Sequence, residues 1–124
     1  MPRNSDVVCV VDDDAAVRNA LKFALEVEGL AVRIYDGPAA FLADGSLPQC
    51  ACLIVDYRMP GMDGLELLAV LRARDVQLPA FLIAGRADEE LRRKADKLNV
   101  RQLLEKPLSD STLLEAIRSV MAAE

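Results

Sequence analysis

The chain has 124 residues, with 15 Lys and Arg against 20 Asp and Glu, a formal net charge of −5 and no His. That length holds one domain, and an acidic balance without a basic footprint excludes nucleic-acid binding through overall charge. The missing His excludes a Ser-His-Asp triad, a His-based zinc site and a phosphohistidine.

At 52% hydrophobic and 28% charged, the composition is that of a compact globular domain rather than a disordered one. A chain this long buries roughly two-thirds of its unfolded surface. Aromatic residues make up 4%, so Val, Leu, Ile and Ala must build the core. No apolar run approaches the length of a membrane span, and the opening Met-Pro-Arg-Asn-Ser-Asp lacks the apolar core of a signal peptide. The expectation is a cytoplasmic domain with no membrane partner. Cys9, Cys50 and Cys52 are odd in number and lack CxxC spacing, which reads as buried or half-buried free thiols in a reducing compartment, with metal or redox cysteines as the alternative.

Five short apolar runs alternate with segments of helical period. The runs are Val7–Val11, Ala31–Tyr35, Ala51–Val55, Ala80–Ile83 and, more weakly, Gln102–Leu104. Most are apolar at successive positions, as in strands of a parallel sheet covered on both faces. Val17, Ala20, Leu21, Ala24 and Leu25 form a first helical stripe closed by Gly29. Ala39–Leu42 is a short helix started by Pro38, and Leu65, Leu68 and Leu71 mark a third after Gly64. Leu113, Leu114, Ile117, Val120 and Met121 mark the last, with Ser109 or Ser111 as its N-cap.

The fourth helix differs, because eight of the ten residues from Asp88 to Lys97 are charged and its stripe is only Ala87, Leu91, Ala95 and Leu98. Acids precede bases, which suits the helix dipole and sets up Glu89–Arg93 and Glu90–Lys94 pairs. Such a run is either a solvated face or a thinly anchored helix that moves or receives a partner. Strand–helix alternation five times over argues a doubly wound α/β domain.

Parallel α/β sheets place functional groups at the carboxyl ends of their strands. The first strand ends in Asp12-Asp13-Asp14 and the third in Asp56; the fourth ends in Ala84-Gly85 and the fifth in Glu105-Lys106-Pro107. With strands one, three and five close in space, Asp12, Asp13, Asp56 and Lys106 share one pocket. Two like charges about 4 Å apart repel by roughly 4 kcal/mol at an effective dielectric of 20. A divalent cation removes that cost, and an all-oxygen set suits Mg²⁺, with Mn²⁺ as a substitute. Asp56 can then act as a nucleophile on phosphorus, while Mg²⁺ and the Lys106 ammonium neutralise the phosphoryl oxygens. Singly, each acid is more simply a cap or turn residue, as Asp14 is for the first helix; four charges at three strand ends are not.

Val-Val-Asp-Asp-Asp at 10–14, Val-Asp-Tyr-Arg-Met-Pro-Gly-Met-Asp-Gly at 55–64 and Glu-Lys-Pro-Leu at 105–108 resemble the receiver domains of bacterial two-component response regulators, from about Val7 to Met121. The resemblance implies a flavodoxin-like (βα)5 three-layer sandwich with parallel strands in the order 2-1-3-4-5, a single receiver domain over 1–124. It matches Asp56 to the phosphoacceptor, Asp13 to a direct Mg²⁺ ligand, Asp12 to a ligand through water and the Arg58 backbone carbonyl to the third protein ligand. Lys106 matches the lysine that contacts the phosphoryl group, before a Pro107 bond that is usually cis. Met59-Pro60 and Gly64 match the turn after the acceptor. The phosphate would come from a histidine kinase or phosphotransfer protein.

Two positions depart from the family. The fourth strand normally ends in Thr or Ser, which bonds the phosphoryl oxygen; here it is Ala84. An aromatic on the fifth strand normally changes rotamer with it; here it is Leu103. Gly85 keeps a backbone N–H for the phosphate, and Arg86 is positioned to replace part of the lost hydroxyl. The expected output surface is the fourth helix, fifth strand and fifth helix, a face through which such a domain could also pair as a homodimer.

Two readings compete. A haloacid-dehalogenase-like phosphatase also uses a strand-end Asp, but needs an acid two residues on, where Arg58 stands. A phosphate-independent interaction module is favoured by Ala84 and Leu103 and opposed by the intact acids and Lys106. The chain is either a complete single-domain regulator or the N-terminal receiver of a transcription regulator whose DNA-binding domain is absent here. Gly29–Leu42 and the Val-Asp-Tyr-Arg-Met-Pro segment are most similar to receivers of the nitrogen-fixation transcriptional regulator group.

Overall fold

The computed structural model describes residues 7–44 and 50–122. Five strands, β1 (Val7–Val11), β2 (Ala31–Tyr35), β3 (Cys52–Asp56), β4 (Ala80–Ala84) and β5 (Gln102–Glu105), alternate with α1 (Ala15–Val27), α2 (Pro38–Ala43), α3 (Gly64–Ala73), α4 (Glu89–Lys97) and α5 (Asp110–Ala122). The strands form one parallel sheet in the order β2-β1-β3-β4-β5. Parallel neighbours need helical crossovers, so the order places helices on both faces.

Side chains alternate across the sheet. Cys9, Val11, Leu53, Val55 and Leu82 pack with Phe41 of α2, Leu67, Leu68 and Leu71 of α3, and Leu91 and Ala95 of α4. Val8, Val10, Ile54, Phe81 and Ile83 pack with Leu21 and Leu25 of α1 and Leu113, Ile117 and Val120 of α5. Every residue of β3 and β4 is buried, which accounts for their near-continuous apolar sequence. The outer strand β2 has no buried residue.

The expected boundaries shift where they matter for function. β3 begins one residue later than its apolar run and takes in Asp56, which pairs with Ile83 of β4; β4 likewise takes in Ala84. Asp14 caps α1, its carboxylate accepting from the N–H groups of Ala16 and Val17. Gly29, at φ +88°, stands two residues past the end of that helix, just after the cap residue Glu28, in the left-handed region glycine tolerates. Ser109 rather than Ser111 caps α5.

α4 starts on Asp88, which accepts from the Leu91 N–H, and buries only Leu91 and Ala95. Of its two expected ion pairs, Glu90–Lys94 closes at 3.2 Å; none joins Glu89 to Arg93. The cysteine expectation is corrected for two residues: Cys9 and Cys50 form a disulfide, and only Cys52 is a free buried thiol. Sequence parity hides the pairing. Cys50 and Cys52 would share a face of one strand, but β3 starts only at Cys52, and the bend at Ala51 turns Cys50 toward Cys9.

Candidate functional site

The carboxyl ends of β1 and β3, adjacent in the sheet, bring Asp12, Asp13 and Asp56 together, each offering one carboxylate oxygen within 4.8 Å of the others. Asp12 and Asp56 are buried and Asp13 is exposed, so the cluster opens outward through Asp13. Lys106, on the loop leaving β5, reaches Asp56 Oδ1 at 3.4 Å with its own side chain 40% exposed. The Lys106–Pro107 peptide bond is cis.

The supporting contacts are local. The Asp14 N–H donates to Asp12 Oδ1 at 2.9 Å, fixing that carboxylate from its own turn. Arg18, one turn into α1, donates from Nη1 to the Asp12 carbonyl at 2.8 Å. Beneath Asp56, the Gly64 N–H donates to the Tyr57 carbonyl at 2.8 Å. A Cβ on Gly64 would lie 2.6 Å from the Asp56 carbonyl oxygen and 2.8 Å from Leu82 Cδ1. The Asp-Gly step thus lets α3 start directly under the acceptor. Asp63 caps α3 in a reciprocal capping box with Glu66.

Burial pushes the Asp12 carboxyl above its ordinary value; Asp56 and Asp13 add to this, against the Asp14 N–H and Lys106. Asp56 is raised as well, chiefly by burial and further by Asp13, with Lys106 pulling the other way. One ammonium thus faces three carboxylates. A hard divalent cation with oxygen ligands would relieve the repulsion, so the donor set fits such an ion.

The remaining sequence-derived positions fall around this cluster. Ala84 ends β4 fully buried with no donor group, its carbonyl accepting from the Lys106 N–H at 2.9 Å. Gly85 is exposed, with open space where a Cβ would stand. Leu103 is half-buried on β5 against the core under α4. Arg58 and Arg86, both exposed, line a cleft of about 220 Å³ with Tyr57, Gly85, Asp88 and Lys94, whose lining includes none of Asp12, Asp13 and Asp56.

Sequence reading missed two features. Arg18 gave no signal, since its partner is a backbone carbonyl. The two exposed large hydrophobic residues among those described, Phe23 (72%) and Val27 (65%), sit one turn apart on α1. Phe23 also lines a groove of about 500 Å³ between α1 and the segment Lys106, Pro107 and Leu108. A period-3.6 stripe that spills onto the outer face was the available clue.

A parallel 2-1-3-4-5 sheet with an acid cluster and a lysine at its carboxyl edge defines a class, and the family comparison agrees. Residues 8–118 match the response regulator receiver domain, and the chain belongs to that family. Among curated relatives it is 43% identical over 112 residues to the transcriptional regulatory protein FixJ of Azorhizobium caulinodans, covering 90% of this chain and 53% of that protein. It is 35% identical over 121 residues to the response regulator protein TodT of Pseudomonas putida, covering 98% and 53%. The chain thus spans about half the length of the curated relatives it matches. Among solved structures, FixJ-N superposes with a TM-score of 0.84 at 34% identity, covering 95% of this chain and 94% of that one. A chemotaxis protein of Vibrio cholerae gives 0.84 at 23% identity over 92% and 97%, a likeness of fold alone. The chain is therefore a receiver domain of a two-component response regulator, similar to FixJ receivers, and the phosphatase alternative is set aside.

Proposed function

We propose that this single receiver domain accepts a phosphoryl group on Asp56 from a histidine kinase or phosphotransfer protein. The observation that carries the reading is the meeting of Asp12, Asp13 and Asp56 with Lys106 at one sheet edge. An Asp56 carboxylate oxygen attacks phosphorus; the P–N bond to the donor imidazole breaks, and its electron pair stays on nitrogen. The Lys106 ammonium, already paired with Asp56, neutralises phosphoryl oxygens as charge develops. Asp13, Asp56 and the Arg58 backbone carbonyl would hold Mg²⁺, or Mn²⁺ in its place, with Asp12 acting through water. The ion, when bound, supplies the positive charge that lets three carboxylates and a phosphoryl group share the pocket.

A donor must bring its phosphohistidine to Asp56 over nearby surface, and the apolar groove beside Lys106 with Phe23 at its lip supports docking of the donor on α1. Ala84 supplies no hydroxyl to the phosphoryl group, leaving the exposed Gly85 N–H and Arg86 to serve it. A charge-assisted bond of the missing kind is worth roughly 1.5–3 kcal/mol, so phosphorylation is coupled weakly, or through Arg86, to α4, β5 and α5. The relatives' names support an output in transcription; a DNA-binding domain outside this chain would carry it, in the cytoplasm. That output face is also the one through which a homodimer would form.

The test is intact mass after incubation with acetyl phosphate, with and without Mg²⁺, on wild type and Asp56→Asn. One phosphoryl group added only with Mg²⁺ and Asp56 present is expected. No adduct, together with no change in melting on adding beryllofluoride and Mg²⁺, would favour a phosphate-independent interaction module. Ala84→Thr is expected to enlarge the phosphorylation-dependent shifts in amide spectra over α4 and β5; unchanged shifts would refute the weak coupling.

A further inference from the structure

The Cys9–Cys50 disulfide lies outside the phosphoacceptor chemistry and within the fold that carries it. We propose that these two cysteines are a reversible thiol–disulfide site through which peroxide-class oxidants raise the stability of the domain.

The pairing is unambiguous. Cys9, in β1, faces the layer of α2, α3 and α4 together with Cys50. Cys52 is two residues from Cys50 but faces the opposite layer with Val8, Val10 and Ile54.

The placement of the link gives it leverage. It joins the interior of β1 to the residue two before β3, with Cα atoms 6.4 Å apart and a sequence separation of 41. The closed loop contains α1, β2 and α2. This is the least buried part of the sheet, since β2 is an edge strand without a fully buried residue and α2 has six residues. Noncovalent contacts alone hold that unit in the dithiol form. The link also spans the two strands whose ends carry the acid cluster, so it supports the scaffold of the site without occupying it.

The chemistry balances with hydrogen peroxide as oxidant. Cys50 is 7% exposed against 0% for Cys9, so Cys50 reacts first. Its sulfur attacks a peroxide oxygen, the O–O bond breaks, and a sulfenic acid and one water form. The Cys9 sulfur then attacks the sulfenic sulfur; the S–S bond forms and the hydroxyl leaves with a proton as a second water. A small dithiol reverses the step, supplying two electrons and two protons through a mixed disulfide.

The test uses the whole chain treated with hydrogen peroxide or with dithiothreitol, then alkylated after denaturation and weighed. The expected result is one alkylated cysteine after peroxide and three after dithiothreitol, with fragmentation placing the link at Cys9 and Cys50. The oxidised form is expected to melt on the order of 10 °C above the reduced form, as befits a loop of this length. Cys50→Ala is expected to lose that response. Three alkylated cysteines after peroxide, a link through Cys52 or between chains, or equal melting of the two wild-type forms would each overturn the proposal. The wild-type arms decide it even if the variant fails to fold.

Discussion

Gly64→Ala tests how closely the first turn of α3 is built against the phosphoacceptor. The added methyl would stand 2.6 Å from the Asp56 carbonyl oxygen, 2.8 Å from Leu82 Cδ1 and 3.1 Å from Tyr57 Cα. Two of those atoms are backbone, so the clash cannot be relieved by a rotamer change, and β3 and α3 must separate. Overpacking of this kind costs about 1–3 kcal/mol. Replacing Gly by Ala at an ordinary helical position recovers up to about 1 kcal/mol, and less at the first residue of a helix. The net expectation is a destabilisation of about 1–2 kcal/mol, or a fall in Tm of roughly 3–8 °C for a chain of this size. Urea unfolding followed by circular dichroism measures it, with an unchanged slope confirming that the change lies in stability. Because the Asp56 carbonyl is the nearest atom, Mg²⁺ affinity should fall in the same variant. Equal or greater stability would refute the close-approach argument.

Three further outcomes follow from the packing and charges. Arg72 donates to the carbonyls of Leu98, Val76, Leu78 and Asn99, tying the end of α3 to the turn after α4, so Arg72→Met should cost about 2–3 kcal/mol in urea unfolding; Arg72→Lys should fall between it and wild type, and a neutral Arg72→Met would contradict this. Asp12 is raised first by burial, with Asp56 and Asp13 adding to it against the Asp14 N–H and Lys106, so Asp12→Asn should melt roughly 3–5 °C above wild type without metal. Its gain on adding MgCl₂, read by thermal shift, should shrink; a lower metal-free Tm would contradict the repulsion argument. The Tyr35 hydroxyl donates to Asp44, and burial followed by that contact pushes its pKa up to about 12. The folded chain then holds this proton more tightly than the unfolded chain, whose Tyr ionises near 10. The associated stability is present below pH 10 and is lost as pH rises toward 12. Tyr35→Phe should flatten that decline; an unchanged slope would refute the assignment.

The sheet was legible because β3 and β4 are buried on both faces and therefore lack polar alternation, which marks a covered parallel sheet. Strand order was not contained in any apolar pattern; it came only from the resemblance to receiver domains that the strand-end motifs carry. The acids and Lys106 were legible because several charges at strand termini are difficult to explain as caps. What stayed hidden depends on geometry between segments. Arg72 meets carbonyls up to 27 residues away, and carbonyls carry no sequence signature. The disulfide depends on a bend at Ala51 that reverses the face on which Cys50 stands. The exposure of Phe23 depends on how α1 is rotated against the sheet, which a stripe of five apolar residues leaves loose.

The most direct measurement locates the phosphoryl group. Protein labelled with acetyl phosphate and Mg²⁺ is reduced with borohydride, which converts an aspartyl phosphate to homoserine, and the product is sequenced by mass spectrometry. Homoserine at position 56 alone, absent when Mg²⁺ is withheld, is the predicted result. Homoserine at Asp12 or Asp13, or labelling that persists unchanged in Asp56→Asn, would contradict the account.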